Sequence, residues 1–201
     1  MALHISQQEY KPLRLEGTEL FEGTGAEIAP TLTAFWQWGA SDLLSNALRG
    51  LLAEFIVGSA LGCVDGAIRR EWDAYDLEAN GIKVEVKSTA RLQTWHQDDY
   101  STLRFDIPKT TGWDARTNKP LPGPPCRQAN VYVFCVLTAG DKATVNPMNL
   151  SQWEFYVVAT KMLDELEDQR TITLTSLLAR FKLAPISYAE LADAAMSATP
   201  R

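Results

Sequence analysis

The stretch EWDAYDLEANGIKVEVKSTA, residues 71–90, decides how this chain folds. It holds Asn80-Gly81 between two short segments, and this dipeptide is the strongest short-range signal for a β-hairpin, because both residues tolerate a positive φ. After the turn, apolar and charged residues alternate from Ile82 to Lys87, as they do along a strand with one buried face. The stretch therefore predicts a hairpin whose second strand is half buried.

The turn fixes which residues face each other across the hairpin. If the Asn-Gly pair forms the whole loop, Asp76 lies directly opposite Glu85, on the face that also carries Lys87. Two opposed carboxylates repel each other, so a divalent cation or a nearby lysine would have to compensate. Carboxylate oxygens suit hard ions such as Mg²⁺ or Mn²⁺. An ordinary charged hairpin face is the alternative, and a bulge would shift the pairing and favour Asp73 as the ligand.

A helix is predicted before the hairpin, over the segment LLSNALRGLLAEFIVGSALG at residues 43–62, with Ser41 as its N-cap. Apolar residues at three- and four-residue spacing predict its buried face, and these are Leu44, Leu48, Leu51, Leu52 and Phe55. Glu54 lies off the centre of this stripe, among small residues, where an ion could approach it. A solvated glutamate on the helix surface is the alternative.

The remaining segments predict one α/β (α+β) domain with a central mixed β-sheet flanked by helices. The β-prone apolar runs at 130–140 and 153–160 predict strands, and the C-terminal periodicity predicts helices. Residues 98–128 contain five prolines, which favours a long loop or insertion. We expect a single domain of residues 1–201, with an N-terminal extension (1–40), a core (43–160) and C-terminal helices (161–201). The aromatic segment FWQW at 35–38 is expected to be buried, with a stacking platform as the alternative.

Composition narrows the function classes. The 201 residues carry a net charge of −6, which argues against nucleic-acid binding by bulk charge alone and leaves a local basic groove open. His4 and His96 are the two histidines, which makes a multi-histidine metal site impossible. No apolar run is long enough to span a membrane, and the first residues lack a signal-peptide core, so we expect a cytoplasmic protein without membrane contacts.

The hairpin resembles the core of the PD-(D/E)XK nuclease superfamily, which has the restriction-endonuclease-like fold. The pattern of that superfamily is an acidic residue on one strand, a short turn and then (D/E)-X-K on the next strand. It is matched here by Asp76 and by Glu85-Val86-Lys87. The residue before Asp76 is Tyr75 and not proline, and because many members of the superfamily lack that proline, this departure counts only slightly against activity.

Two further residues extend the resemblance, which covers about residues 43–160. Glu54 matches the glutamate that the superfamily often takes from a preceding helix. Gln93 stands where some members carry a glutamine after the lysine. The resemblance thus implies a restriction-endonuclease-like core with catalytic residues contributed by the helix, by both strands of the hairpin and by the segment after it.

The resemblance also implies an activity, namely Mg²⁺-dependent hydrolysis of phosphodiester bonds in DNA, with Mn²⁺ as a substitute. Asp76, Glu85, Glu54 and the carbonyl of Val86 would hold the metal, and Lys87 would orient or activate water or meet the phosphate charge. Gln93 would help to position these groups. Basic residues of the 98–128 segment are candidates for contacts with the nucleic-acid backbone, and they are Arg104, Lys109, Arg116, Lys119 and Arg127.

Two other interpretations stay open from the sequence. A catalytically silent member of the same fold would bind nucleic acid or a protein without cutting. A different enzyme or structural domain could carry the charged hairpin by coincidence. A small acidic nuclease could also need a second copy of itself or a separate targeting subunit. The sequence does not choose between DNA and RNA, and it indicates no sequence specificity or biological role.

Overall fold

The computed structural model describes residues 12–23, 30–69, 71, 73–114 and 117–199. Its helices are α1 (Leu32–Ala40), α2 (Asn46–Ala60), α3 (Thr160–Asp164), α4 (Leu174–Phe181) and α5 (Leu191–Ala198). Its strands are β1 (Leu77–Ala79), β2 (Ile82–Ala90), β3 (Arg104–Asp106), β4 (Trp113–Asp114), β5 (Lys119–Pro120), β6 (Val131–Leu137), β7 (Trp153–Ala159) and β8 (Thr171–Thr173). Within these residues, no helix has both the length and the apolar character needed to cross a membrane.

A four-stranded mixed sheet with the order β1-β2-β6-β7 forms the centre of the fold. β1 and β7 run antiparallel to their neighbours, and β2 runs parallel to β6. Every residue of β6 is buried. Its continuous apolar sequence is typical of a strand that is covered on both faces. The predicted fold class, a mixed sheet flanked by helices, is confirmed.

The predicted turn is present. Asn80 has a φ of 52° and Gly81 a φ of 78°, so both adopt the left-handed conformation of a two-residue hairpin turn. Ala79 pairs with Ile82, and the ladder runs on to Leu77. It stops there, and the N–H of Asp76 donates to the carbonyl of Val84 at 3.1 Å. Asp76 therefore lies one residue beyond β1 and forms no ladder pair with Glu85.

The sheet separates two hydrophobic cores. On one face, Ile82, Val84 and Val86 pack with apolar residues of β6 and with α2 and α5. On the other face, Phe134 packs edge-on against Phe105 of β3, with ring centroids 4.8 Å apart, above side chains from α3 and α4. Complete burial of one such large side chain contributes about 1.5–3 kcal/mol. The alternation predicted for β2 is confirmed, and its charged residues lie on the second face.

Helix α2 differs from the prediction at its start and in its buried face. Ser45 is the N-cap, and its Oγ accepts a hydrogen bond from the N–H of Leu48 at 3.4 Å. The expected cap Ser41 instead follows the last residue of α1. The face turned to the sheet carries small and β-branched residues, which are Ala53, Ile56, Val57 and Gly58. In the predicted stripe, Leu44 and Leu52 are partly buried against the core, but Leu51 is 41% and Phe55 60% exposed, so only part of this stripe faces the core.

The predicted burial of the FWQW segment is wrong. This segment lies in α1, which has no buried residue, and Phe35, Trp36 and Trp38 are all exposed. Residues 98–128 behave as expected, since the prolines limit them to short strands. Two of these strands, β4 and β5, pair only with each other, and β3 pairs with β8, a strand that the sequence pattern did not indicate.

Candidate active site

The acidic and basic residues of the hairpin meet where β1 begins. Because β1 stops at Leu77, the N–H of Val86 on that edge has no ladder partner from β1. The carboxylate of Asp76 takes this place, and its Oδ2 accepts the Val86 N–H at 2.7 Å. On the same strand, Nζ of Lys87 donates to Oε1 of Glu85 at 2.5 Å. The backbone of the sheet therefore fixes Asp76 beside the Glu85–Lys87 pair.

The pKa of Asp76 is raised from 3.8 to about 7. Burial is the largest cause, followed by the negative charge of Glu85, while the Val86 hydrogen bond and the Lys87 charge act in the opposite direction. The charge of Glu54 on α2 raises the pKa further. The structure thus brings four of the predicted residues, Asp76, Glu85, Lys87 and Glu54, into one electrostatic environment with an excess of carboxylates.

Lys87 is held in its charged form. Burial of its side chain disfavours the ammonium, but the carboxylates of Glu85, Asp76 and Asp106 outweigh this effect and keep the pKa of Lys87 above its ordinary value. Its side chain is 27% exposed, so the ammonium can still be reached from solvent. The ammonium form of Lys87, which carries a positive charge and donates hydrogen bonds, is therefore favoured in this structure.

Glu54 is bound by a residue that the sequence patterns missed. Nε of Arg69 lies 2.5 Å from Oε2 of Glu54, and Nη2 lies 2.9 Å from Oε1, so the guanidinium occupies both carboxylate oxygens. Gly62, with a φ of 68°, reverses the chain after α2 and returns it to the helix. Gly58 permits the close approach, since a Cβ there would lie 2.2 Å from Val64 Cγ1. No motif marks such a contact across a loop.

A groove opens beside this ion pair. It encloses about 660 Å³ between α2, the loop that follows it and the start of the hairpin. Leu48, Leu51 and Phe55, all from the predicted stripe, line its apolar wall. Its polar lining includes Glu54, Arg69, Asp73, Asp76 and Glu78. The exposed stripe of α2 is thus one side of a cleft that leads to Asp76.

Among the described residues, no hydrogen bond joins Gln93 to the carboxylates of Asp76, Glu85 or Glu54. Its side chain is buried, where Oε1 accepts from Nη1 of Arg49 at 3.4 Å and Nε2 donates to Ala90 and Ser101 at 3.3 Å. Arg49 also donates to the carbonyl of Leu44 at 3.0 Å. Gln93 therefore ties the end of β2 to the start of α2, and its predicted role in positioning catalytic groups stays a prediction.

The basic residues of the 98–128 segment fall into different environments. Arg104 on β3 and Lys119 on β5 are exposed, and Lys109 forms an ion pair with Asp168 at 3.2 Å. Arg116 lies outside the described residues.

Arg127 is only 6% exposed. It bonds to Asp164 at 2.9 Å and to the carbonyl of Ile107 at 3.0 Å. This burial argues against a phosphate contact for Arg127, because its donors already hold the loop to α3.

The donor chemistry suits a hard divalent cation, since the charges of the Glu85 and Glu54 carboxylates both act on Asp76. The arrangement is incomplete, however. Within the described part of the chain, no group of three or more histidine, cysteine, aspartate or glutamate side chains is placed to hold a metal ion. The oxygens of Glu54 are engaged by Arg69 and Oε1 of Glu85 by Lys87. The fit thus rests on Asp76 and Glu85, and Glu54 could join them only if Arg69 moved away.

One protein family matches most of the chain. The sequence model described as bacteriophage T4 endonuclease IV matches residues 4–176, which is more than half of the 201 residues. A search of curated proteins found no match. The family match supports a nuclease and is silent on the PD-(D/E)XK resemblance, which stays a prediction.

Proposed function

This chain belongs to the bacteriophage T4 endonuclease IV family, and on that premise we propose that it is a Mg²⁺-dependent DNA endonuclease with a PD-(D/E)XK-type site. One observation carries the location of the site. The Asp76 carboxylate is fixed on the Val86 N–H, next to Glu85 and Lys87, with its pKa raised to about 7. Strongly perturbed carboxylates in a cleft are typical of catalytic centres.

In this proposal, Asp76 and Glu85 hold the cation, together with the Val86 carbonyl and with Glu54 once its oxygens are free. A bound Mg²⁺ or Mn²⁺ lowers the pKa of water and stabilises negative charge on a phosphate. Lys87 contributes its ammonium, which donates to the attacked phosphate or to the attacking water.

Exposed basic residues would supply contacts to the DNA backbone. Arg104 and Lys119 are both exposed and fit this role. Lys109 could join them by exchanging Asp168, whose side chain is 92% exposed, for a phosphate. Phosphate contacts fix the position of the duplex or strand without reading its sequence, so sequence preference would have to come from other contacts. A second copy of the chain or a separate targeting subunit remains a predicted partner.

The decisive experiment measures cleavage of circular double-stranded and single-stranded DNA by the purified chain. We expect cutting with Mg²⁺ or Mn²⁺, none after chelation, and none for Asp76→Asn or Glu85→Gln. The exposed Asp99→Asn variant should cut like the wild type and serves as the matched control. A wild type that binds DNA but cuts with neither metal would show a silent binding member of the family, and a chain that cuts in the presence of chelator would refute the metal site.

A further inference from the structure

The Arg69–Glu54 ion pair has a geometry that the proposed nuclease site does not explain. Both oxygens of Glu54 are occupied by one guanidinium, at 2.5 and 2.9 Å. The Glu54 side chain is 14% exposed and that of Arg69 is 41% exposed. A planar guanidinium pairs with carboxylate and with phosphate in the same two-point manner. A phosphate group could therefore replace the Glu54 carboxylate as the partner of Arg69.

The surroundings of Arg69 are acidic. The charges of Glu54, Asp76 and Glu71 all act on its guanidinium and favour its charged form. Asp76 in turn senses the charges of Glu54, Glu85 and Lys87. The guanidinium thus supplies positive charge to the same carboxylates that a divalent cation would need. It also lines the groove that leads to Asp76.

Resting on the proposed function, we propose that Arg69 is an exchangeable counter-charge at this site. It neutralises Glu54 while no cation is bound, it is displaced when a divalent cation takes the Glu54 oxygens, and its freed guanidinium then pairs with a phosphate of the DNA. Each charged group keeps a partner of opposite charge through the exchange, because the cation replaces the guanidinium at the carboxylate and the phosphate replaces the carboxylate at the guanidinium. No covalent bond changes in the exchange.

The test measures Mn²⁺ binding to the full chain by isothermal titration calorimetry in the absence of DNA. Arg69→Ala removes the competitor and should bind Mn²⁺ about tenfold more tightly than the wild type. Glu54→Gln removes a ligand and should bind Mn²⁺ more weakly. If the ion pair were purely structural, both substitutions would change the Mn²⁺ affinity in the same direction. Arg180→Ala removes an exposed arginine of α4 and should match the wild type.

The second half of the exchange is tested by DNA cleavage at saturating Mg²⁺. Arg69→Ala should lose at least about tenfold in kcat/KM in spite of its tighter metal binding, and Arg69→Lys should recover part of this loss. Circular dichroism shows whether each variant is folded. Should Arg69→Ala not fold, Arg69→Gln is measured in its place, and it should also bind Mn²⁺ more tightly.

The outcomes separate this inference from the proposed function. If the wild type binds Mn²⁺ and cuts DNA, but Arg69→Ala binds the metal no more tightly, the exchange is refuted and the nuclease site stands. If Arg69→Ala binds Mn²⁺ more tightly and cuts as well as the wild type, the phosphate contact is refuted. If the wild type neither binds a divalent cation nor cuts, both the metal-dependent function and the exchange fail.

Discussion

The carboxylate of Asp76 accepts the backbone N–H of Val86 at 2.7 Å. This bond holds the acid one residue before the start of β1, where the hairpin ladder no longer provides a partner. A catalytic group supported by a sheet backbone is more precisely placed than one on a free loop. The same bond favours the ionised form of Asp76 and partly offsets the repulsion by the Glu85 charge.

Asp76 should lower the stability of the metal-free protein at neutral pH. Its pKa is about 7 in the folded chain against 3.8 ordinarily, so the unfolded chain releases the proton first as the pH rises. The contribution of this group to stability is present below about pH 4, is lost between about pH 4 and 7, and does not change further above that. Asp76→Asn keeps an acceptor for the Val86 N–H, and because asparagine does not ionise, it avoids this loss of stability.

Thermal unfolding without divalent cations measures this effect. We expect Asp76→Asn to be more stable than the wild type by about 1–3 kcal/mol at pH 8, with a much smaller difference at pH 4. The exposed Asp99→Asn should show no such pH-dependent gain. A gain of equal size at both pH values would contradict the assigned cause, because it would not depend on ionisation.

Lys87→Ala should lower cleavage by about 10²–10⁴-fold, since a positioned donor to a developing charge is worth this much. The neighbouring Lys83→Ala, on the same face of β2 but stacked on Tyr75, is the matched control and should retain activity. Rates are measured from pH 7 to 9.5. The ammonium is the active form in this proposal, so any fall in the wild-type rate towards pH 9.5 that reports loss of the lysine proton should be absent from Lys87→Ala. Cleavage by Lys87→Ala at the wild-type rate would contradict the role of the ammonium.

The Asn-Gly turn should control the site through the register of the hairpin. Gly81 has a φ of 78°, which an alanine adopts only with strain, although the space around it is open. Gly81→Ala should therefore cost about 1–2 kcal/mol of unfolding free energy, measured with urea. Asn80→Gly tolerates the same conformation and should cost little. A negligible effect of Gly81→Ala would mean that the turn does not specify the register.

Local chemistry explains which parts of the fold could be predicted. The hairpin depends on two turn residues and on an alternation within a few positions, and both can be read from the sequence. The buried face of α2 could not be predicted, because the helix is apolar on several sides and the spacing fits Phe55 as well as Ile56. The Arg69–Glu54 pair depends on a loop without a repeating pattern. Arg127 carries a charge in a polar loop, so exposure was expected, and burial with Asp164 was not visible.

The reassigned face of α2 gives a direct test. Phe55→Ser changes a side chain that is 60% exposed in the groove and should alter the free energy of unfolding by less than about 0.5 kcal/mol. Ile56→Ala deletes a buried side chain against the sheet and should cost about 2–4 kcal/mol. Urea unfolding of both variants makes the comparison. A larger loss of stability for Phe55→Ser than for Ile56→Ala would show that the face expected from the periodicity is the buried one.

Arg127 and Arg104 should respond to substitution in different ways. Arg127→Ala leaves the carbonyl of Ile107 without its donor and Asp164 without its partner. We expect it to cost about 1–3 kcal/mol of unfolding free energy, chiefly because the carbonyl of Ile107 is left unsatisfied, whereas the Asp164 side chain is 51% exposed and can be hydrated. Arg104→Ala and Lys119→Ala, both at exposed positions, should leave the stability within about 0.5 kcal/mol.

Measurements of DNA binding also distinguish Arg127 from Arg104 and Lys119. If Arg104 and Lys119 contact phosphates, each alanine variant should weaken binding and reduce the slope of log affinity against log salt by about one. Fluorescence anisotropy with labelled DNA between 50 and 200 mM salt, at a cation concentration that does not support cleavage, measures both quantities. Folded Arg127→Ala should keep the wild-type slope, since its guanidinium is buried. A reduced slope for Arg127→Ala alone would place the DNA on the loop near α3 and would overturn the assignment of Arg104 and Lys119.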